Sequence, residues 1–271
     1  MKMKIGFIGA GNMATALVGG LSATGKAPDV VVCDPVQAQR DALAARYRAV
    51  ASADNEDAAH ADILVLAVKP QYMAQATQGV AATVLQHQPL VISVAAGVRA
   101  AAIGSWLNGY ARIVRAMPNR PALIGAGVTA LHAAATLSAA DRHMAQEVMQ
   151  AVGTAVWVEN ESDLDTVTAV SGSGPAYFFL LIELLDEAAR RLGLPPDTAR
   201  TLAIETAHGA AALARAREYT PMQLREQVTS PAGTTAAALA VLEEADLRGI
   251  VRRAVTAASR RSAELAAQFG A

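Results

Sequence analysis

The 271-residue sequence predicts an α/β protein, with a doubly wound, largely parallel sheet over residues 1–160 and an all-helical segment over 161–271. Three observations predict it. Apolar, β-branched runs alternate with helix-compatible stretches up to Glu159. The first run ends in Gly9-Ala10-Gly11 at the extreme N-terminus, directly ahead of a helix. From Ser162 onward no stretch reads as a strand.

In order, Ile5 to Ile8 forms the first strand and Asn12 to Leu21 the first helix. Between them lies Gly-x-Gly-x-x-Ala, in which Gly9 permits a tight turn, Gly11 lets backbone approach a diphosphate and small Ala14 lets the helix pack closely on its strand. The helix N-terminus then offers free N–H groups and positive dipole to the phosphates, which makes this a Rossmann-type dinucleotide site. Lys2 and Lys4 ahead of an uncharged run to Gly25 imitate a signal peptide or membrane helix, but the glycines and Asn12 within it make a poor apolar helix. No membrane insertion is expected.

Val30 to Asp34 reads as the second strand, with Asp34 at its carboxyl end, placed to meet a ribose or to cap a helix starting at Pro35. Ala38 to Tyr47 is helical, Val50 opens a short strand and Asn55 falls in a polar loop. Asp62 to Val68 is a fully buried strand that Lys69-Pro70-Gln71 stops, so Lys69 stands at the carboxyl edge where open α/β sheets bind ligands. After a further helix, Leu90 to Gly97 is a buried strand ending in small residues that leave room for a flat ring. Arg112 to Asn119 repeats strand then Pro-containing loop, and Ile124–Leu131 and Ala155–Val158 are two more strands flanking a helix from Ser138 to Val152.

In the second half a helix is interrupted at Ser171-Gly172-Ser173-Gly174-Pro175, which exposes backbone N–H groups, and resumes from Ala176 to Leu192 with Gly193 as its stop. Asp197 to Arg217 forms a long helix and Thr220-Pro221 opens a short one. Thr229 to Thr235 is a loop feeding an Ala/Leu-rich helix; its hydroxyls and N–H groups suit a carboxylate or phosphate, or serve as a plain cap. Asp246 caps the last helix, on which Arg252, Arg253, Arg260, Arg261 and Glu264 form a solvated face.

A net charge of −1 gives no reason to expect nucleic acid or an anionic membrane as partner. With 53% hydrophobic and only 17% charged residues, a buried subunit interface is expected. Cys33, the single cysteine, sits in an apolar run as a buried thiol, so no disulfide framework or Cys-based metal site is possible and a reducing cytoplasm is expected. The five histidines lack ligand spacing, so no metal is expected.

Gly-Phe-Ile-Gly-Ala-Gly-Asn-Met-Ala (6–14), Ala-Val-Lys-Pro-Gln (67–71), Ser-Val-Ala-Ala-Gly-Val (93–98), Arg-Ala-Met-Pro-Asn (115–119), Val-Ser-Gly-Ser-Gly-Pro-Ala-Tyr (170–177) and Ser-Pro-Ala-Gly-Thr-Thr (230–235) together resemble pyrroline-5-carboxylate reductase, in order and over nearly the whole chain. Two departures stand out: Ala232, where that family usually has Gly, and Asp34, where it more often has a small polar residue. The resemblance implies reduction of 1-pyrroline-5-carboxylate to L-proline with NADPH or NADH, the last step of proline synthesis. It also implies a Rossmann domain joined to an all-helical dimerisation domain that interleaves with a second subunit, in dimers that often assemble into a decamer.

The cofactor contacts it implies are Gly9, Gly11, Asn12, Met13, Asp34, Asn55, Ala67, Val68, Lys69, Pro70, Ala95, Ala96 and Gly97. Thr235 is the implied partner of the ring nitrogen. Ser230 with the Gly233 and Thr234 N–H groups takes the substrate carboxylate, Met117, Asn119, Ser173 and Gly174 complete the pocket, and Glu218 supports it. Asp34 leans towards NADH, since a carboxylate accepts from ribose hydroxyls and repels a 2′-phosphate. Two rivals are weaker. A β-hydroxyacid dehydrogenase needs a lysine on the long helix of its second domain, and no lysine follows Lys69; a nucleotide-binding scaffold without catalysis would not need the intact substrate loops.

Overall fold

The structure, a computed structural model, describes residues 2–25 and 27–269. The chain packs into two compact units, Met1–Ser173 together with Ala257–Ala271, and Gly174–Thr256.

The first unit is built on one sheet of eight strands: β1 (Lys4–Ile8), β2 (Asp29–Cys33), β3 (Val50–Ser52), β4 (Ile63–Leu66), β5 (Leu90–Ser93), β6 (Ile113–Met117), β7 (Gly127–Ala133) and β8 (Gly153–Trp157). Their order is β3-β2-β1-β4-β5-β6-β7-β8. The first six are parallel, β7 runs antiparallel to β6, and β8 pairs parallel with β7. β4 and β5 are buried at every position, which is why their sequences read as unbroken apolar runs rather than alternating ones. Alternate side chains feed two cores. Ile5, Phe7, Ile63, Val65, Leu90 and Ile92 pack on one face with Leu17 and Leu21 of α1 (Asn12–Ala23). Ile8, Cys33, Leu64, Leu66 and Val91 pack on the other with Met73, Val84 and Ile103.

Helices fill the crossovers, and several differ from expectation. Asn55 lies not in a loop but at the start of α3 (Asn55–Ala59), after α2 (Gln37–Tyr47); Asp54 caps α3 by accepting the Glu56 N–H at 3.0 Å. The helix after Gln71 is a 3₁₀ turn (Pro70–Tyr72) followed by α4 (Met73–Gln78) and α5 (Ala81–His87). An additional helix, α6 (Ala100–Trp106), follows β5 in an alanine-rich stretch too short to show a period. Ile124 is not in a strand: it ends a 3₁₀ turn (Arg120–Ile124) and is 83% exposed, with β7 starting at Gly127. α7 (Ala139–Gln150) then leads to β8.

The expected interruption near Ser171 is instead a change of winding. α8 (Asp163–Val167) passes through a π-helical turn (Thr168–Gly172) into α9 (Gly174–Arg191), and the Ser173 N–H donates to the Thr168 carbonyl five residues back at 2.8 Å. Pro175 has no N–H to offer the Ser171 carbonyl. Asn119 supplies the missing donor, its Nδ2 lying 3.0 Å from the Ser171 oxygen.

The second unit comprises α9, α10 (Pro196–Ala216), α11 (Pro221–Gln227), α12 (Thr234–Glu244) and the first part of α13 (Leu247–Phe269). Gly193, at φ +97°, stops the chain after α9 as expected, and Asp246 accepts the Gly249 N–H at 3.0 Å at the start of α13. α11 opens with a capping box between Thr220 and Gln223. Phe178, Phe179, Leu181, Leu184 and Leu185 of α9 are exposed, as are Leu213 of α10 and Val241 of α12, so this unit carries the apolar surplus foreseen from composition. Among the described residues one helical run, 163–191, is long and apolar enough by composition to cross a membrane, at a mean hydropathy of 1.3.

Candidate active site

The carboxyl ends of β1, β2 and β4 meet at a cavity of about 590 Å³, where the strand order reverses between β1 and β4. Of the sequence-predicted cofactor residues it is lined by Gly9, Gly11, Asp34, Asn55, Ala67, Val68 and Lys69. Gly9 has φ +104°, and a Cβ there would lie 2.6 Å from the Ala67 carbonyl oxygen, so the turn admits glycine alone. Gly11 differs: a Cβ on it would meet no described atom within 4 Å. It is the N-cap of α1, and no side chain caps the first-turn N–H groups of Asn12 and Met13. Open space above a glycine, uncapped N–H groups and the positive end of a helix dipole together fit a diphosphate.

Asp34 is more committed than either sequence reading implied. Its Oδ2 accepts the Ala10 N–H at 2.8 Å and its Oδ1 accepts the Val36 N–H at 2.8 Å. The carboxylate thus braces the glycine loop, and α2 begins two residues beyond Pro35, at Gln37. Each oxygen keeps a second lone pair for a ribose hydroxyl. Arg40, placed by sequence inside α2, turns back so that its Nη1 donates to the Asp34 carbonyl at 3.0 Å. Cys33 also lines the cavity, and burial pushes its thiol up to about 11, which keeps it protonated and inert as expected.

Asn12, Met13, Pro70, Ala95, Ala96 and Gly97 do not line this cavity. Pro70 opens the 3₁₀ turn behind Lys69, and Ala95 to Gly97 form the turn after β5, with Gly97 at φ +76°. Sequence reasoning missed Val36, Gln39, Tyr72, Gln75 and Ala76 on the cavity wall. The 72, 75, 76 spacing on one helical face was the available signal.

Met117 and Asn119, at the end of β6, lie against the π turn: a Cβ on Gly172 would be 2.7 Å from the Met117 methyl. Asn119 is 8% exposed and spends both ends of its amide on the protein, Nδ2 on Ser171 and Oδ1 on the Val128 N–H at 2.9 Å. Asn119→Ala is expected to lower unfolding free energy by about 2–4 kcal/mol, because two backbone groups lose their partners. A loss below about 0.5 kcal/mol in denaturant titration would refute this assignment.

In the second unit Ser230 to Thr235 turns tightly into α12, the Gly233 N–H donating to the Ser230 carbonyl at 3.1 Å. Gly233 is the N-cap, no side chain caps the helix, and Thr234 and Thr235 occupy its first turn. Ala232 has φ +56°, a left-handed conformation that costs an alanine about 1 kcal/mol and explains why Gly suits this position. Glu218 is exposed on the loop between α10 and α11.

Residues 161–265 match the family described as pyrroline-5-carboxylate reductase dimerisation, and residues 4–97 match NADP oxidoreductase coenzyme F420-dependent. The pyrroline-5-carboxylate reductase of Pseudomonas aeruginosa is 45% identical over 269 residues, covering 98% of each chain. Among solved structures, a pyrroline-5-carboxylate reductase from Coxiella burnetii has a TM-score of 0.93 at 41% identity, over 98% of this chain and 99% of that one. A Plasmodium falciparum pyrroline carboxylate reductase with NADP bound has a TM-score of 0.83 at 27% identity, over 97% and 98%. With both halves matched and relatives this similar along nearly its full length, the chain belongs to the pyrroline-5-carboxylate reductase family.

Proposed function

We propose that this protein reduces 1-pyrroline-5-carboxylate to L-proline with NADPH or NADH. The observation that carries the reading is the full-length similarity to reductases of that name. Oxidation of NAD(P)H on adding 1-pyrroline-5-carboxylate, followed at the nicotinamide absorbance, tests it; no turnover with either cofactor overturns it.

In this reading residues 1–160 hold the cofactor, and 161–271 bind substrate and a second subunit. A reduced nicotinamide supplies the hydride to the imine carbon. The uncapped N–H groups after Gly11 hold the diphosphate, Asn55 and Asp34 meet the adenosine ribose, Lys69 and Pro70 border the cofactor, and the small residues Ala95 to Gly97 leave room for the ring. A cyclic imine is basic enough to arrive protonated, so a strong general acid is not required. The Thr235 hydroxyl then positions the ring nitrogen, while Ser230 and the N–H groups of Gly233 and Thr234 at the start of α12 take the carboxylate. Met117, Ser173 and Gly174 shape the pocket, Asn119 holds the π turn in place, and Glu218 adds local charge. The exposed apolar residues of α9, α10 and α12 support a dimer with interleaved helices, in which one subunit's cofactor meets its partner's 230–235 loop, and such dimers assemble into a decamer. The one buried cysteine suits a reducing cytoplasm.

Cofactor choice turns on Asp34. Its two backbone hydrogen bonds fix a negative charge at the end of β2, and Arg40 is held on carbonyl oxygens. NADH should therefore serve at least as well as NADPH, and Asp34→Ser should shift the kcat/KM ratio towards NADPH by about tenfold, or ~1.4 kcal/mol. A wild-type preference for NADPH that this substitution leaves untouched would show that Asp34 does not face the ribose.

A further inference from the structure

The last turns of α13 fold back onto the sheet unit, far in sequence from everything else that builds it. Ser262, Leu265, Ala266 and Phe269 form one face of this helix at helical spacing, and Ser262 and Ala266 are buried. They lie against the turn after β5: a Cβ on Gly97 would sit 3.6 Å from both the Ala266 nitrogen and the Phe269 ring. Phe269 packs against the core cluster that contains Ala95 and Val98.

A chain of ionic hydrogen bonds runs behind the same turn. The Ser262 hydroxyl donates to Asp165 Oδ1 at 2.8 Å, and Arg99 Nη2 donates to Asp165 Oδ2 at 2.5 Å. Arg99 Nη1 also reaches the Glu161 carbonyl at 3.1 Å. The Glu161 carboxylate accepts the Ala100 N–H at 2.6 Å and Arg115 Nη1 at 3.1 Å. Arg115 is only 4% exposed, and Glu161 is its charge partner. Charged hydrogen bonds that are this short and shielded hold geometry well. They clamp residues 99–100, immediately after Ala95 to Gly97, to the start of α8 and to the end of the chain.

We infer that the C-terminal end of α13, through Ser262 and Phe269, is a positioning element for the nicotinamide side of the cofactor site, acting on the Ala95–Gly97 turn by way of Asp165 and Arg99. This rests on the cofactor assignment above and adds to it a dependence on residues that touch no cofactor. The diphosphate cradle belongs to β1 and α1, so disturbing the C-terminal end leaves the adenosine half of the site intact. The ring of a nicotinamide would lose its wall, and hydride transfer is steep in that geometry.

The test uses the full chain with Ser262→Ala, Phe269→Ala and the conservative Phe269→Leu. ADP-ribose and NADH affinities are measured by titration calorimetry, and the primary isotope effect is measured with 4-deuterated NADH. Ser262→Ala and Phe269→Ala are expected to leave ADP-ribose affinity within about twofold of wild type, weaken NADH about three- to tenfold and lower kcat/KM about tenfold with a larger isotope effect. Phe269→Leu should restore most of the loss. Equal weakening of ADP-ribose and NADH, or unchanged NADH affinity and isotope effect, overturns the inference. Should one variant fail to fold, the other decides, since they act at opposite ends of the stripe. A wild-type protein that binds neither ligand would instead overturn the cofactor assignment.

Discussion

Gly9→Ala is expected to cost the protein about 2–5 kcal/mol and with it dinucleotide binding, whereas Gly11→Ala should fold like the wild type and still lose affinity. At Gly9 a methyl group meets the Ala67 carbonyl at 2.6 Å on a residue at φ +104°, so strain and overlap add. Neither side can yield easily, because the Gly9 N–H is bonded to the Cys33 carbonyl at 2.7 Å and the Ala67 N–H to the Ile8 carbonyl at 2.8 Å. At Gly11 the methyl group meets open space, at an ordinary φ of −74°. Among the described residues it obstructs none, so what it meets is whatever occupies the cavity. Thermal melts and ADP-ribose titrations of the two variants separate folding from binding; a Gly11→Ala protein that binds ADP-ribose as tightly as wild type would remove the diphosphate from this loop.

Thr235→Ala is expected to lower kcat/KM for the imine by about ten- to a thousandfold with cofactor affinity nearly unchanged, the effect of losing one charge-assisted hydrogen bond at the reacting nitrogen. Thr235 sits in the first turn of α12, whose N–H groups have no side-chain cap, so the alanine variant leaves that backbone in place. Thr235→Ser should retain most activity. Unaltered turnover by the alanine variant would remove Thr235 from the site.

The sheet was legible because parallel strands buried on both faces, such as Ile63–Leu66 and Leu90–Ser93, leave unbroken apolar runs in the sequence. The same cue misleads at Ile124, an exposed apolar residue in a turn, and is silent for α6, whose alanines carry no contrast between faces. Pro175 reads as a breaker because local rules assume that an abandoned carbonyl goes unpaired; here Asn119, distant in sequence, supplies the donor. The glycine cradle was readable because its chemistry lies within a few consecutive residues. The Arg99, Arg115, Glu161, Asp165 and Ser262 network was not, since its bonds join residues 46 to 97 positions apart. Arg115 inside the apolar run Ile113–Met117 was the one local hint of a buried counter-ion.

Because residues 257–271 complete a unit otherwise made by the first 173, that unit is discontinuous in the order of synthesis. A chain emerging from the ribosome presents the whole eight-stranded sheet early, yet Asp165 waits for Ser262, and the turn at Gly97 for Ala266 and Phe269, until α13 has been made. The intervening helical unit, with its exposed apolar faces, emerges in that interval. The sheet unit therefore closes only after the surface suited to a second subunit is already available, so final consolidation of the nucleotide half and pairing of chains fall in the same window, when unfinished intermediates are most exposed to aggregation.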